Sequence, residues 1–184
     1  MTEIIEFNTE RLLLRQWRES ERSPFAALNA DAEVMACFPA LLDRQASDEL
    51  ADRCQALIAA RGWGFWAVEL RSNGDFLGFV GLHEPVQALP FSPCVEIGWR
   101  LARQYWGRGF AFEAAQGALR VGFETLGLAE IVSFTALPNL RSQRLMERLG
   151  MVREAATFEH PLVPHGSPLR THCLYRLKRQ AWTE

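Results

Sequence analysis

The chain has 184 residues, 48% of them hydrophobic and 23% charged, an ordinary globular mix that suits one domain spanning 1–184 and leaves no low-complexity segment or internal repeat. A formal net charge of −2 gives no general pull towards nucleic acid or anionic membrane, and no apolar run approaches the length of a membrane span. Cys37, Cys54, Cys94 and Cys173 form no C-x-x-C pair and the N-terminus lacks a basic segment with an apolar core, so the expectation is a cytoplasmic protein with free thiols.

Ile4 to Trp17 reads as one strand, with Leu12 and Leu14 on one face and Arg11, Leu13 and Arg15 on the other. Ser23-Pro24 predicts a helix start running loosely towards Met35, and Pro39 stops that segment. Ser47 is the expected cap of a second helix, with Leu50, Cys54, Leu57 and Ile58 at helical spacing, ending near Arg61-Gly62. Gly64 to Leu70 and Phe76 to His83 read as a hairpin around Asn73-Gly74. Gly78 and Gly81 inside the return strand predict a bulge or a close backbone approach. His83, alone near a strand end, reads as structural rather than catalytic. The proline-bearing loop from Glu84 to Pro93, with Phe91, lies just before the next strand and is placed to shape a neighbouring pocket.

Cys94 to Leu101 reads as a strand, and Ala111 to Thr125 as a helix with Ala111, Ala115, Ala118, Leu119 and Phe123 near one face. Between them stands Gln104-Tyr105-Trp106-Gly107-Arg108-Gly109-Phe110-Ala111. Glycines two apart let a ligand approach the main chain, and the helix start adds unpaired N–H groups and the positive end of its dipole. That is a site for a phosphate-type anion, with Arg103 and Arg108 at hand. No Gly-Lys-Ser/Thr follows, and Phe112 stands where a third glycine would complete G-x-G-x-x-G, so the familiar nucleotide and dinucleotide loops are excluded.

Gly127 is a plausible helix stop and Ile131 to Ala136 a short apolar strand. Strand, helix and strand in that order predict one parallel pair in an otherwise antiparallel sheet. Pro138 to Met151 reads as a helix opened by Pro-Asn and closed by Gly150, and Val152 to Phe158 and Leu169 to Leu177 as closing strands. His160, His165 and His172 have no cysteine or carboxylate cluster beside them, so no metal is expected.

Gln104-x-x-Gly107-x-Gly109 resembles the Q/R-x-x-G-x-G/A pattern of the GCN5-related N-acetyltransferases (GNAT). Asn139-x-x-Ser142-x-x-Leu145-x-x-x-Leu149-Gly150-Met151 resembles the segment after that family's fifth strand. Thr9-Glu10-Arg11-Leu12-Leu13-Leu14-Arg15 resembles the opening strand of its RimJ/RimL-like branch, which includes the enzymes that acetylate ribosomal-protein N-termini. The resemblance covers nearly the whole chain. It implies an α+β fold: a single GNAT-like domain with a mostly antiparallel mixed sheet of six or seven strands, one parallel pair and four helices.

It also implies acetyl transfer from acetyl-coenzyme A to a primary amine, on a small molecule or a protein N-terminus, by direct attack on the thioester, with a homodimer possible and no metal. The backbone of Trp99, Arg100 and Leu101 would pair with the pantetheine arm. Trp106, Gly107, Arg108, Gly109, Phe110 and Ala111, opened by Gln104, would cradle the pyrophosphate. Asn139 would meet the pantetheine, and Arg141 or Arg144 the nucleotide phosphates. Glu96, on the same strand in an apolar context, is the candidate base. Many relatives carry a tyrosine acid seven residues after the asparagine. Met146 stands there and cannot donate a proton, which leaves Ser142 as the candidate acid. The alternative is a non-catalytic coenzyme A-binding sensor or partner-binding scaffold.

Overall fold

The computed structural model describes residues 2–183. Its centre is one eight-stranded sheet in the order β1-β2-β3-β4-β5-β6-β8-β7, one or two strands more than the sequence predicts. The strands are β1 (Phe7–Asn8), β2 (Leu12–Arg15), β3 (Phe65–Leu70), β4 (Phe76–His83), β5 (Glu96–Leu101), β6 (Glu130–Ala136), β7 (Val152–Glu159) and β8 (Thr171–Lys178). The helices are α1 (Arg22–Asn29), α2 (Arg44–Arg61), α3 (Phe110–Arg120) and α4 (Leu140–Arg148). Among the described residues only β5 and β6 run parallel.

The extra strand comes from the N-terminal run, which is two strands and not one. The chain reverses at Thr9 to Arg11, where the Thr9 hydroxyl accepts from the Leu12 amide at 3.2 Å, so Phe7 lies opposite Leu14. Leu12 and Leu14 are fully buried, as their alternation requires. α1 starts at Arg22, behind a single turn at Glu19–Glu21, and ends at Asn29, so Ser23 is inside the helix and turns replace its extension to Met35. Asp43, not Ser47, caps α2, accepting from the Ala46 amide at 2.8 Å. Gly62 ends it at φ 86°. α3 begins one residue earlier than expected and widens into a π turn at Val121–Thr125.

The two helix pairs cover opposite faces of the sheet. On β4, Phe79 meets Phe25 of α1 at 6.0 Å between ring centroids, while Leu82 lies against Gly122 at the end of α3. A methyl on Gly78 would fall 2.1 Å from the Arg100 carbonyl oxygen, and one on Gly81 2.0 Å from that of Gly64, so both glycines mark the close backbone approaches the sequence predicts. Among the described residues no helix is long and apolar enough to cross a membrane, and the four thiols are free.

Candidate active site

β5 leads through a turn at Arg103–Tyr105 to Gly107 (φ 72°) and Gly109 (φ 81°), which caps α3. These left-handed glycines swing the chain into the helix, whose first amides have no acceptor within it. A methyl built on Gly107 would meet nothing within 4 Å, so no side chain stands over that residue, whereas one on Gly109 would touch Arg11 Nη2 at 3.4 Å. Gln104 and Arg108 are exposed there. Arg103 is committed elsewhere, paired with Glu33 at 2.8 Å.

A cluster the sequence reading missed braces this turn. Glu113, in the first turn of α3, accepts from the Thr9 hydroxyl (2.6 Å), the Arg11 amide (2.7 Å) and Arg11 Nε (2.7 Å). Arg11 Nη1 donates to the Arg108 carbonyl at 3.0 Å, and its guanidinium lies 4.4 Å from the Phe110 ring centroid. Burial alone would raise the Glu113 pKa; the bonds from Thr9 and Arg11 outweigh it and hold the carboxyl below its ordinary value. The signal was present in Thr9-Glu10-Arg11, read only as strand.

The second feature is a fork. β5 and β6 share one register pair, Glu96 with Val132, after which the strands part. Ser133 Oγ still reaches the Ile97 carbonyl at 2.9 Å, but the β6-facing main-chain edge at Trp99 has no strand neighbour. At the mouth of the fork, Asn139 caps α4, accepting from the Ser142 amide (3.2 Å) and donating to Thr135 Oγ1 (2.9 Å). Trp99 Nε1 donates to Ser142 Oγ at 3.2 Å. Trp106 Nε1 donates to the Leu101 carbonyl at 2.9 Å, and the Arg141 guanidinium stacks 3.7 Å from the Trp106 ring centroid. The structure thus gathers Trp99, Leu101, Trp106, Asn139, Arg141 and Ser142 around the fork. Ala111 follows in the first turn of α3, and Arg144 is exposed on α4. Met146 is buried, occupied in packing.

Glu96 stands at the apex of the fork on the opposite face, turned towards the α1–α2 side. Burial, the sole cause, pushes its pKa up to about 8. Beside it in register is His83, stacked on Phe65 at 5.2 Å, with its pKa lowered first by burial and then by Arg61. Further along this face Phe91, Phe134 and Phe158 pack with His160 and His172, whose rings are 4.8 Å apart. Burial, His172 and Arg170 together hold His160 at about 4, so it is neutral at pH 7. Among the described residues no three metal-binding side chains converge. The Arg100 side chain also leaves the glycine turn and points to α1, so its expected role on the pantetheine rests on its main chain alone.

Two cavities of about 580 and 600 Å³ lie outside the fork, one by Gly127, Glu130 and Lys178, the other between α3, the C-terminus of α4 and Trp182, reaching Thr9 and Glu113 of the brace. Chemistry favours the fork over either, because neither holds Glu96, the glycine turn or Ser142.

A family model described as an acetyltransferase (GNAT) domain matches residues 11–152. An uncharacterized N-acetyltransferase, p20, from Bacillus licheniformis is 39% identical over 149 residues, covering 79% of this chain and 82% of the relative. The crystal structure of a GNAT-family acetyltransferase from Bacillus anthracis superposes with a TM-score of 0.79 at 24% identity, over 96% of this chain and 99% of that one. A ribosomal-protein-S5-alanine acetyltransferase from Vibrio fischeri superposes with a TM-score of 0.74 at 18% identity, over 98% of this chain and all of the other, a likeness of fold alone.

Proposed function

Because the chain belongs to the GNAT acetyltransferase family, we propose that it transfers an acetyl group from acetyl-coenzyme A to a primary amine, on a small molecule or a protein N-terminus. The observation that carries this reading is the fork between β5 and β6, opening beside the glycine turn at the start of α3, with open space over Gly107. The residues present suit the cosubstrate. The main chain at Trp106 to Ala111, with the positive end of α3, suits a diphosphate, and the free edge of Trp99 suits an amide-bearing arm.

The bound thioester supplies an activated acyl group. Glu96, with its pKa near 8, accepts a proton from the incoming ammonium at its carboxylate, directly or through water. Ser142 Oγ already accepts the Trp99 indole N–H, which leaves its own O–H free to pass a proton to the departing sulfur while the second proton shed by the nitrogen on acylation restores the hydroxyl through water. Arg11 and Glu113 hold the glycine turn in shape before the ligand arrives.

The test is turnover. Purified protein with acetyl-coenzyme A and a panel of amines should release free thiol in step with N-acetylated product. Coenzyme A binding without release on any amine would favour the sensor reading instead.

A further inference from the structure

Arg100 lies on β5 four residues beyond Glu96 and on the same face of the strand. Its guanidinium sits 4.1 Å from the Phe38 ring centroid and 5.4 Å from that of Phe79. Nη1 donates to Asn29 Oδ1 at 2.7 Å, and Asn29 Nδ2 donates to Ser47 Oγ at 3.0 Å, both of these residues being wholly buried. Three segments, β5, α1 and α2, therefore aim this cation. Yet its Nε is buried with no acceptor, and no carboxylate among the described residues pairs with it.

Another arginine of the sheet, more deeply buried, is treated differently. Arg15 is matched by two carboxylates, Glu21 at 2.9 Å and Glu69 at 2.7 Å. The bond to Asn29 and the stacking on two rings satisfy this cation only in part, and no charge of opposite sign answers it. Burial pushes the Arg100 pKa down to about 10, so it stays charged at neutral pH and the deficit stands.

Glu96 and Arg100 stand at the two ends of one face of β5. Gly98 between them lies under the Phe65 ring, which is 3.1 Å from where a methyl would stand. His83, Gly81 and Phe79 of β4 stand opposite Glu96, Gly98 and Arg100 in turn, and Phe65 stacks on His83 and packs tilted against Phe79. An aromatic wall thus runs from the carboxyl to the cation. The turn-rich segment 31–43, which carries Phe38, closes the Arg100 end.

Resting on the acetyl-transfer reading above, we propose that the acceptor is an amine that also bears a carboxylate, which the Arg100 guanidinium binds while the amino group lies towards Glu96. Arginine's planar fork suits a carboxylate, and a hydrogen-bonded charge pair of this kind is worth on the order of tenfold to a hundredfold in kcat/KM.

The experiment uses matched acceptors: leucine against leucinamide and isopentylamine, phenylalanine against phenethylamine, and a series of ω-amino carboxylates against their amides. The acid of each pair should be favoured by at least about tenfold in kcat/KM. Arg100→Met should bring that ratio close to one, while Arg100→Lys, which keeps the charge and guards against a folding artefact, should retain part of it. Acetylation of the amines with no preference for the acids would overturn the proposal and leave acetyl transfer standing. If no acceptor turns over, the transfer reading fails, and titration of N-acetylleucine against N-acetylleucinamide into wild type and Arg100→Met with coenzyme A present decides the Arg100 site. Carboxylate-dependent binding lost in the variant supports it, and equal binding of acid and amide overturns it.

Discussion

Glu113 on α3 accepts three hydrogen bonds from Thr9 and Arg11, residues more than a hundred positions earlier in the chain. The reversal between β1 and β2 and the start of α3 are therefore one structural unit. Glu113→Ala removes the acceptor for all three donors and strands the Arg11 amide and guanidinium. We expect a loss of about 2–3 kcal/mol in urea denaturation, with a raised KM for acetyl-coenzyme A because Arg11 also steadies the Arg108 carbonyl. The Glu113 pKa is lowered on folding, so its contribution is present above the ordinary carboxylate value and lost as pH falls through the folded one. The wild type should accordingly lose more stability than Glu113→Ala on acidification below about pH 4.5.

Glu96 has the opposite sign. Its folded pKa of about 8 lies above the ordinary 4.5, so its neutral form favours folding at low pH. That contribution declines as pH rises from about 4.5 and is gone above about 8. Thermal melts of Glu96→Gln should therefore lack a destabilisation that the wild type shows between pH 5 and 9, with a higher melting temperature than the wild type at the alkaline end. Catalysis runs the other way: wild-type kcat/KM should climb with pH to a plateau just above 8, and the variant should lose roughly a hundredfold and that climb together.

Gly107 and Gly109 both have left-handed φ, but their surroundings differ. Gly107→Ala meets open space, so backbone strain of about 1–2 kcal/mol is its only local cost. Gly109→Ala adds a contact with Arg11 Nη2, 3.4 Å from the new methyl. Both should raise the KM for acetyl-coenzyme A and lower the melting temperature by similar amounts, because the Arg11 contact is an ordinary van der Waals one. Equal KM values in wild type and both variants would remove the turn from the binding site.

Ser142→Ala and Trp99→Phe separate proton donation from the framing of the fork. The first removes the hydroxyl and should lower kcat by about tenfold or more with little change in KM. The second removes only the indole N–H that holds the hydroxyl at 3.2 Å, and should lower kcat by less. A Trp99→Phe effect as large as that of Ser142→Ala would point to positioning and away from an acid.

The unit β5, glycine turn, α3, β6 was legible because its signals are local: apolar runs of strand length, glycines two apart, then a helical stripe. Asn139 as the cap of α4 was legible for the same reason. What escaped was set by distant neighbours. The apolar alternation of Leu12 and Leu14 extends past Arg11 without marking the reversal, which depends on Glu113. Ser47 has the chemistry of a cap, but Asp43 stands in the right place and Ser47 is spent on Asn29. The Arg100–Asn29 bond joins residues 71 positions apart, and no periodicity reports it.

The lone rung between β5 and β6 divides the sheet into two leaves hinged at Glu96. A peptide-like arm laid between them would act as a ninth strand lent by the ligand, completing a ladder the polypeptide leaves unfinished. Loading the enzyme would then be partly an act of assembly, and its stiffness a borrowed property that departs with the spent carrier.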